Sequence, residues 1–189
     1  MEKQMDPRTL RTRKLIMDAF IELSHKKDFK DITISDITTA ATVNRATFYN
    51  HFLDKYELLE KILSENMMRE VLQEVSAHAV INEETIKSVF LSITKLQKSI
   101  SSQCMRSYES FTPQIEAIFK RELQSLFSQW GKEQWPDKTK SEVDTFAVML
   151  SWALYGASTH WMQNQIIPLE EYAEQILHFI RVDQVLSLS

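Results

Sequence analysis

The scarcity of turn-forming residues constrains the fold of this chain more than any other feature. Only two glycines and four prolines occur among its 189 residues. A sandwich or barrel of short strands needs many more turns, so the sequence predicts long helices and an all-α fold. Both glycines, Gly131 and Gly156, lie in the second half. No glycine-rich phosphate loop or dinucleotide fingerprint can therefore be written.

Composition sets further expectations about compartment and chemistry. The single cysteine, Cys104, excludes an intrachain disulfide, and the first thirty residues lack the apolar core of a secretory signal. We therefore expect a cytoplasmic protein. No HExxH motif, paired cysteines or glycine-flanked serine occurs, so we expect no metal, no cofactor and no enzymatic activity. The Glu174 and His178 pair has a spacing of four and is interpreted as a surface pair.

Cap patterns divide the first sixty residues into short helices. Asp6 followed by Pro7 predicts a helix start, and that helix should end near residues 26–28. Thr33 with a carboxylate three residues later predicts a second helix to about residue 41. After a three-residue turn, Asn44 is a good cap for a third helix over 45–52. Two short helices separated by such a turn form a candidate helix-turn-helix.

One side of the third helix is suited to DNA. Phe48 and Phe52, four residues apart, mark the inward face, so the opposite side is small and hydrogen-bonding. On that side we expect base contacts, and at its margins we expect contacts with phosphates. The predicted base-contacting residues are Arg45, Ala46, Thr47 and Asn50, and the predicted phosphate contacts are Tyr49, His51 and Lys55. The alternative is an ordinary amphipathic helix with polar residues outside.

The segment from Thr33 to Leu59, TISDITTAATVNRATFYNHFLDKYELL, resembles the DNA-binding signature of the TetR family of bacterial transcriptional regulators. RTRKLIMDAFIEL, at residues 11–23, is similar to the opening helix of that family. The resemblance covers about a third of the chain. It implies a homodimer, and it implies that eight residues face DNA: Thr33, Arg45, Ala46, Thr47, Tyr49, Asn50, His51 and Lys55.

Three positions depart from the family pattern. Asp28 and Thr42 stand where glycine is usual, and Thr38 stands where alanine is usual. Aspartate tolerates the left-handed backbone that glycine adopts freely, but the β-branched Thr42 should resist it. We therefore expect the turn of the helix-turn-helix to differ slightly.

The remaining chain predicts a second helical domain. We draw the boundary at the start of a long fourth helix, giving a DNA-binding domain over 1–54 and an effector-binding and dimerisation domain over 55–189. Asn82 should cap a fifth helix, residues 104–111 should form a short helix, and Pro113 should open another. Residues 130–140 hold a glycine and a proline and are interpreted as a loop.

One segment of this domain predicts a dimer interface. Residues 145–169 carry no Lys, Arg, Asp or Glu. Their apolar run is too short for a membrane span, so a second copy of the chain should cover the exposed side. This segment and a last helix after Pro168 resemble the four-helix dimer interface of the family. The alternative is a buried helix in a monomer. The predicted interface residues are Ala153, Gly156, Ala157, His160, Tyr172, Ile176, Phe179 and Ile180.

The resemblance also implies a small-molecule effector between the helices of the second domain. Aromatic residues and a methionine are the candidates for its pocket, which would suit an apolar or aromatic ligand. These candidates are Phe90, Met105, Tyr108, Phe111, Phe119, Trp152 and Tyr155. Such residues are also typical of a plain core.

These observations together favour a sequence-specific transcriptional regulator that binds double-stranded DNA. We expect a repressor released from a palindromic operator by its effector, and no membrane association. Two rival hypotheses remain at this point. The first is a helical coactivator whose second domain binds a protein partner, and the other is a small helical enzyme that uses the aromatic cavity.

Overall fold

The computed structural model describes residues 6–75, 80–103 and 108–180, with side chains except at 67, 74, 103 and 108–111. Within those ranges every regular element is helical and no strand occurs, as the sequence predicts. The helices are α1 (Pro7–Ser24), α2 (Ile34–Ala40), α3 (Arg45–Tyr49), α4 (Lys55–Glu74), α5 (Glu83–Gln103), α6 (Tyr108–Gln134), α7 (Lys140–Asn164) and α8 (Leu169–Phe179), and a 3₁₀ turn spans Phe29–Asp31. None of these described helices has the length and apolarity that crossing a membrane requires.

The predicted caps explain where the first helices begin. The Asp6 carboxylate accepts a hydrogen bond from the backbone N–H of Arg8 at 2.9 Å, with Pro7 at the first helical position. Asn44 caps α3 in the same way, accepting from the N–H of Thr47 at 2.7 Å. Each cap satisfies a backbone donor that the helix itself leaves unpaired.

The described residues form two compact units. One combines the described parts of 1–63 and 100–114, and the other combines those of 64–99 and 115–189. The sequence predicts a domain boundary after residue 54, where α4 begins. In the structure, residues 55–63 of α4 pack with the N-terminal helices. Leu58 and Ile62 are buried in that stretch, because the first turns of α4 close the core of the first unit.

Helix α3 is shorter than the 45–52 span that the sequence predicts. Its regular part ends at Tyr49, after which the N–H of His51 bonds to the Phe48 carbonyl at 2.9 Å. That i to i+3 bond tightens the last turn. Phe48 and Phe52 nevertheless both point inward, with 0% and 1% of their surface exposed.

Helix α6 is longer than predicted at both ends. Pro113 lies inside it rather than opening it, as the sixth residue, where a proline leaves one backbone carbonyl of the preceding turn without its N–H donor. The cysteine-containing part of the predicted short helix, 104–107, lies outside the described residues. At the other end α6 continues to Gln134, so the expected loop over 130–140 contracts to the residues between α6 and α7.

Gly131 is a packing residue inside α6 and not a loop glycine. A Cβ built there would lie 2.7 Å from Val143 Cγ1 and 3.2 Å from the Trp135 ring. The missing side chain therefore lets α6 and the start of α7 approach each other closely. That requirement comes from a contact twelve residues away, and the local sequence does not reveal it.

Candidate nucleic-acid interface

The outward side of α3 is accessible along its whole length. Arg45, Ala46 and Asn50 are exposed, and Tyr49 is 52% exposed. Thr47 and His51 are half-exposed at the margins of this surface. The burial of Phe48 and Phe52 confirms the inward direction inferred from their spacing. A short polar surface backed by two phenylalanine rings is what a helix needs to present side chains to base edges.

The turn before α3 carries backbone strain. Thr42 adopts φ 55°, the left-handed region that favours glycine. The N–H of Val43 bonds to the Thr38 carbonyl at 2.9 Å, which closes the turn around the β-branched residue. Asp28, by contrast, has φ −62° and needs no glycine-like conformation. Thr42 therefore adopts the backbone conformation that glycine adopts freely, and it does so under strain.

Thr33 begins α2 through a reciprocal capping box. Its N–H and hydroxyl each donate to Asp36 Oδ2 at 2.9 Å, and the Asp36 N–H donates back to the hydroxyl at 3.1 Å. The bond from the Thr33 backbone, followed by Lys27 at 3.1 Å, lowers the pKa of Asp36 to about 2. The hydroxyl of Thr33 is exposed but already engaged in this cap.

Lys55 is engaged within the first unit instead of projecting into solvent. Its ammonium donates to the carbonyls of Phe29 (2.8 Å), Lys30 (3.1 Å) and Ile32 (2.8 Å). Burial lowers the pKa of Lys55, and the nearby charge of Asp31 opposes that shift. The sequence predicts a phosphate contact here. The carbonyl partners lie 23 to 26 residues away, so no local signal identifies them.

His51 is an uncharged neighbour of a cation. Burial, and then the charge of Arg13, lowers the pKa of His51 below its ordinary value of 6.5. The guanidinium of Arg13 lies 4.9 Å from the centre of the Phe52 ring. At neutral pH the imidazole of His51 is therefore a neutral hydrogen-bonding group at the margin of the α3 surface.

Within the described part of the second unit, one side of α7 and α8 is uncovered. None of the predicted interface residues is buried in the single chain; Ala153, Gly156, His160 and Phe179 are exposed. A Cβ at Gly156 would meet no heavy atom within 4 Å. The remaining members, all half-exposed, are Ala157, Tyr172, Ile176 and Ile180.

Two large apolar side chains extend this uncovered side beyond the predicted set. Met149 is 68% exposed and Trp152 is 57% exposed. The Lys120 ammonium lies 3.6 Å from the centre of the Trp152 ring. Their i, i+3 spacing on an apolar helix is the sequence signal that places them on one side. We call the exposed residues Val148, Met149, Trp152, Ala153, Gly156 and His160 the α7 face.

The candidate effector residues fall into three groups. Phe90, Phe119 and Tyr155 are buried, with the Phe119 and Tyr155 rings 6.1 Å apart. Trp152 lies on the α7 face and not inside, because Leu154 and Tyr155 occupy the buried side of the helix. Met105 lies outside the described residues, as do the side chains of Tyr108 and Phe111. In the described ranges no group of three or more His, Cys, Asp or Glu residues could hold a metal ion.

A buried polar contact lies among the helices of this unit. Gln97 on α5 donates from Nε2 to the Ser158 hydroxyl on α7 at 3.0 Å, and neither residue is exposed. Among the described residues the carboxamide oxygen of Gln97 has no hydrogen-bond partner. A buried acceptor without a hydrogen-bond donor destabilises the folded state.

Known proteins resemble part of the sequence and share the fold. A family model described as "Bacterial regulatory proteins, tetR family" matches residues 16–62. A Bacillus subtilis (strain 168) protein named "Uncharacterized HTH-type transcriptional regulator YxbF" is 35% identical over 102 residues, covering 53% of this chain and 27% of the relative. The Lactococcus lactis subsp. lactis (strain IL1403) "HTH-type dhaKLM operon transcriptional activator DhaS" is 38% identical over 65 residues, or 34% of each chain.

These alignments therefore span about a third or less of the length of either curated relative. A solved structure of a TetR transcriptional regulator from Streptococcus agalactiae 2603V shares the fold more fully. Its TM-score is 0.59 at 23% identity, over 92% of this chain and 95% of that one. Residues 16–62 thus carry a helix-turn-helix of the tetR family of bacterial regulatory proteins, and the chain shares the all-helical fold of that solved structure.

Proposed function

We propose that this protein is a transcriptional regulator that binds a short, roughly palindromic DNA operator as a homodimer in the cytoplasm. The observation that carries the proposal is the exposed, small and polar side of α3, braced from behind by buried Phe48 and Phe52. At about 1.5 Å per residue, a five-residue helix is short enough to enter a major groove about 12 Å wide.

Each residue of that side has a distinct role in the proposal. Arg45 donates to a guanine, Asn50 pairs with an adenine, and the methyl group of Thr47 contacts a thymine. Ala46 lets the backbone approach the base edges. Tyr49 and neutral His51 donate to phosphates at the margins. Thr33 acts through the α2 cap, where its hydroxyl is engaged.

A second copy of the chain completes the proposed regulator. The α7 face exposes apolar and small residues together, and Gly156 leaves open space for another helix. Covering this face removes the exposed surface of Met149 and Trp152 from water, which favours association. A twofold dimer then presents two α3 helices to successive major grooves about 34 Å apart.

The proposed regulatory cycle is repression relieved by an effector. An operator occupied by the dimer blocks polymerase, and a ligand bound in the second unit changes the separation of the α3 helices. The buried, unpartnered oxygen of Gln97 favours a ligand that carries a hydrogen-bond donor. The name of DhaS describes an activator, so a reporter fused to the selected operator should decide the direction of control.

Selection of bound duplexes from a random pool tests the proposal directly. The purified chain should enrich a sequence with two related half-sites whose centres lie about 10 base pairs apart or a multiple of that spacing. Binding should weaken steeply as salt rises, because phosphate contacts release counterions. A protein-interaction module or an enzyme would enrich no duplex.

Variants then separate base contacts from phosphate contacts. Arg45→Ala should cost about 1–3 kcal/mol of binding and relax the choice of one base, whereas Tyr49→Phe should weaken all duplexes alike. Lys132→Ala, an exposed change on α6, is the control and should leave binding unchanged. Unchanged binding and specificity in both α3 variants would contradict the assignment of the site.

A further inference from the structure

We propose that Lys55 is a positioning residue of the helix-turn-helix and that its ammonium does not neutralise a DNA phosphate. The expected effect on DNA binding rests on the proposed function. The role of Lys55 in holding the turn before α2 does not. Lys55 is the first residue of α4, and its three partners are the carbonyls of Phe29, Lys30 and Ile32.

The hydrogen-bond capacity of Lys55 is fully used by these carbonyls. A lysine ammonium has three N–H donors and no acceptor. Its three bonds, at 2.8, 3.1 and 2.8 Å, are all within the normal range. A phosphate oxygen would have to displace one of them. Direct phosphate binding therefore competes with the folded arrangement of the first unit.

An aromatic ring holds the ammonium in place from another side. Its nitrogen lies 4.5 Å from the centre of the Phe29 ring, a distance at which the face of a ring attracts a cation. Phe29 itself is buried and packs edge-on against Tyr56 at 5.0 Å and Phe20 at 6.0 Å. The ammonium thus binds both the backbone and the side chain of a turn that is anchored in the core.

The clamped turn lies at the start of the DNA-binding elements. Residues 29–31 form the 3₁₀ turn between α1 and α2, and Ile32 immediately precedes Thr33, which caps α2. Helix α2 has only seven residues and leads directly into the turn before α3. By tying the first residue of α4 to the residue before this cap, Lys55 fixes the direction in which α2 and then α3 leave the core.

Two substitutions distinguish a clamp from a phosphate contact. Lys55→Met keeps most of the stem over Phe29 but removes all three donors. Lys55→Arg keeps the charge but replaces a compact ammonium with a planar fork that does not match three converging carbonyls. A phosphate contact would survive in the arginine variant, whereas the clamp would be lost in both. Lys61→Met, an exposed change on the same helix, is the matched control.

The experiment combines two measurements on the full chain. Binding to the selected duplex is measured across a range of salt concentrations, and amide hydrogen exchange is measured without DNA at Asp31 and Ile32. The N–H groups of both residues bond to the Asp28 carbonyl inside the clamped turn. We expect both Lys55 variants to bind about tenfold more weakly with an unchanged salt slope, and to exchange these two amides at least tenfold faster.

The opposite results would overturn the inference. A salt slope reduced by about one in Lys55→Met, with affinity restored in Lys55→Arg, would indicate a phosphate contact. Unchanged exchange at Asp31 and Ile32 would show that the carbonyls do not depend on Lys55. If the unchanged protein retains no duplex, the proposed function fails by itself, and the exchange data still support or overturn the clamp. Should Lys55→Met not fold, the arginine variant decides both measurements.

Discussion

Thr42 shows how one residue of a recognised motif can be retained under strain. It holds φ 55° in the turn between α2 and α3, where a β-branched side chain crowds its own backbone. The surrounding bonds, including that from the Val43 N–H to the Thr38 carbonyl, hold the turn in place. The motif therefore tolerates threonine at this position at a cost in stability.

Replacing Thr42 by glycine should release that strain. The left-handed conformation costs a non-glycine residue about 1–2 kcal/mol. Glycine avoids this cost, but its greater backbone freedom stabilises the unfolded state and offsets part of the difference. We expect Thr42→Gly to raise the free energy of unfolding by about 0.5–1 kcal/mol in urea titrations. Thr39→Gly, at an exposed position inside α2, should lower it. Equal losses in both variants would contradict a strained turn.

His51 should make the first unit sensitive to mild acid. Burial and Arg13 lower its pKa below 6.5 in the folded state. The unfolded chain therefore binds the proton more readily than the folded chain. The contribution of His51 to the free energy of unfolding is fully present above pH 6.5 and is lost as the pH falls from there to the lowered pKa. His51→Gln should flatten this decline in urea titrations between pH 7.5 and 5. Arg13→Ala should reduce it partly, and an equally steep decline in His51→Gln would exclude His51 as its source.

At the scale of elements, local chemistry was predictable and distant packing was not. The sequence predicts the caps at Asp6, Thr33 and Asn44 because each side chain bonds to a backbone N–H two or three residues away. The inward direction of Phe48 follows in the same way from helical periodicity. The roles of Lys55 and Gly131 depend on partners that only the folded core brings together. The spacing of residues in the sequence therefore does not predict these roles.

Gly131 permits a test of that packing between α6 and α7. Alanine should gain up to about 1 kcal/mol in helix propensity, but its Cβ would lie 2.7 Å from Val143 Cγ1. Overpacking typically costs about 1–3 kcal/mol, so we expect a net loss of stability of about 1 kcal/mol. In a double-mutant cycle, Val143→Ala should relieve part of this loss, because it removes the clashing methyl group. Additive effects of the two changes would refute the close approach.

At the scale of the whole molecule, the α7 face determines whether the proposed regulator can assemble. Among the residues that the structure describes, nothing covers this side of an apolar helix. A Cβ at Gly156 would meet no atom of its own subunit within 4 Å, so the fold of the subunit does not depend on this position. A change at this position can alter association without disturbing the core.

Gly156→Leu should therefore separate assembly from folding. The side chain enters open space, so the circular dichroism of the variant should match that of the unchanged protein. Close approach of a partner helix should be blocked, and light scattering should report the mass of one subunit. Affinity for a two-half-site duplex should fall by more than tenfold once bivalency is lost. Lys140→Leu, on the opposite side of α7, should leave the mass unchanged; a dimeric Gly156→Leu would place the interface elsewhere.

The arrangement of tryptophans provides an optical signal for the same event. Trp130 is fully buried, Trp161 nearly so and Trp135 half-buried in the second unit, whereas Trp152 is 57% exposed with the Lys120 ammonium beside it. Dilution through the dissociation range should therefore shift fluorescence emission to the red as that one indole meets water. In Trp152→Phe the spectrum should no longer change with concentration. The protein thus contains its own reporter of subunit association, and its dissociation constant can be measured without an attached dye.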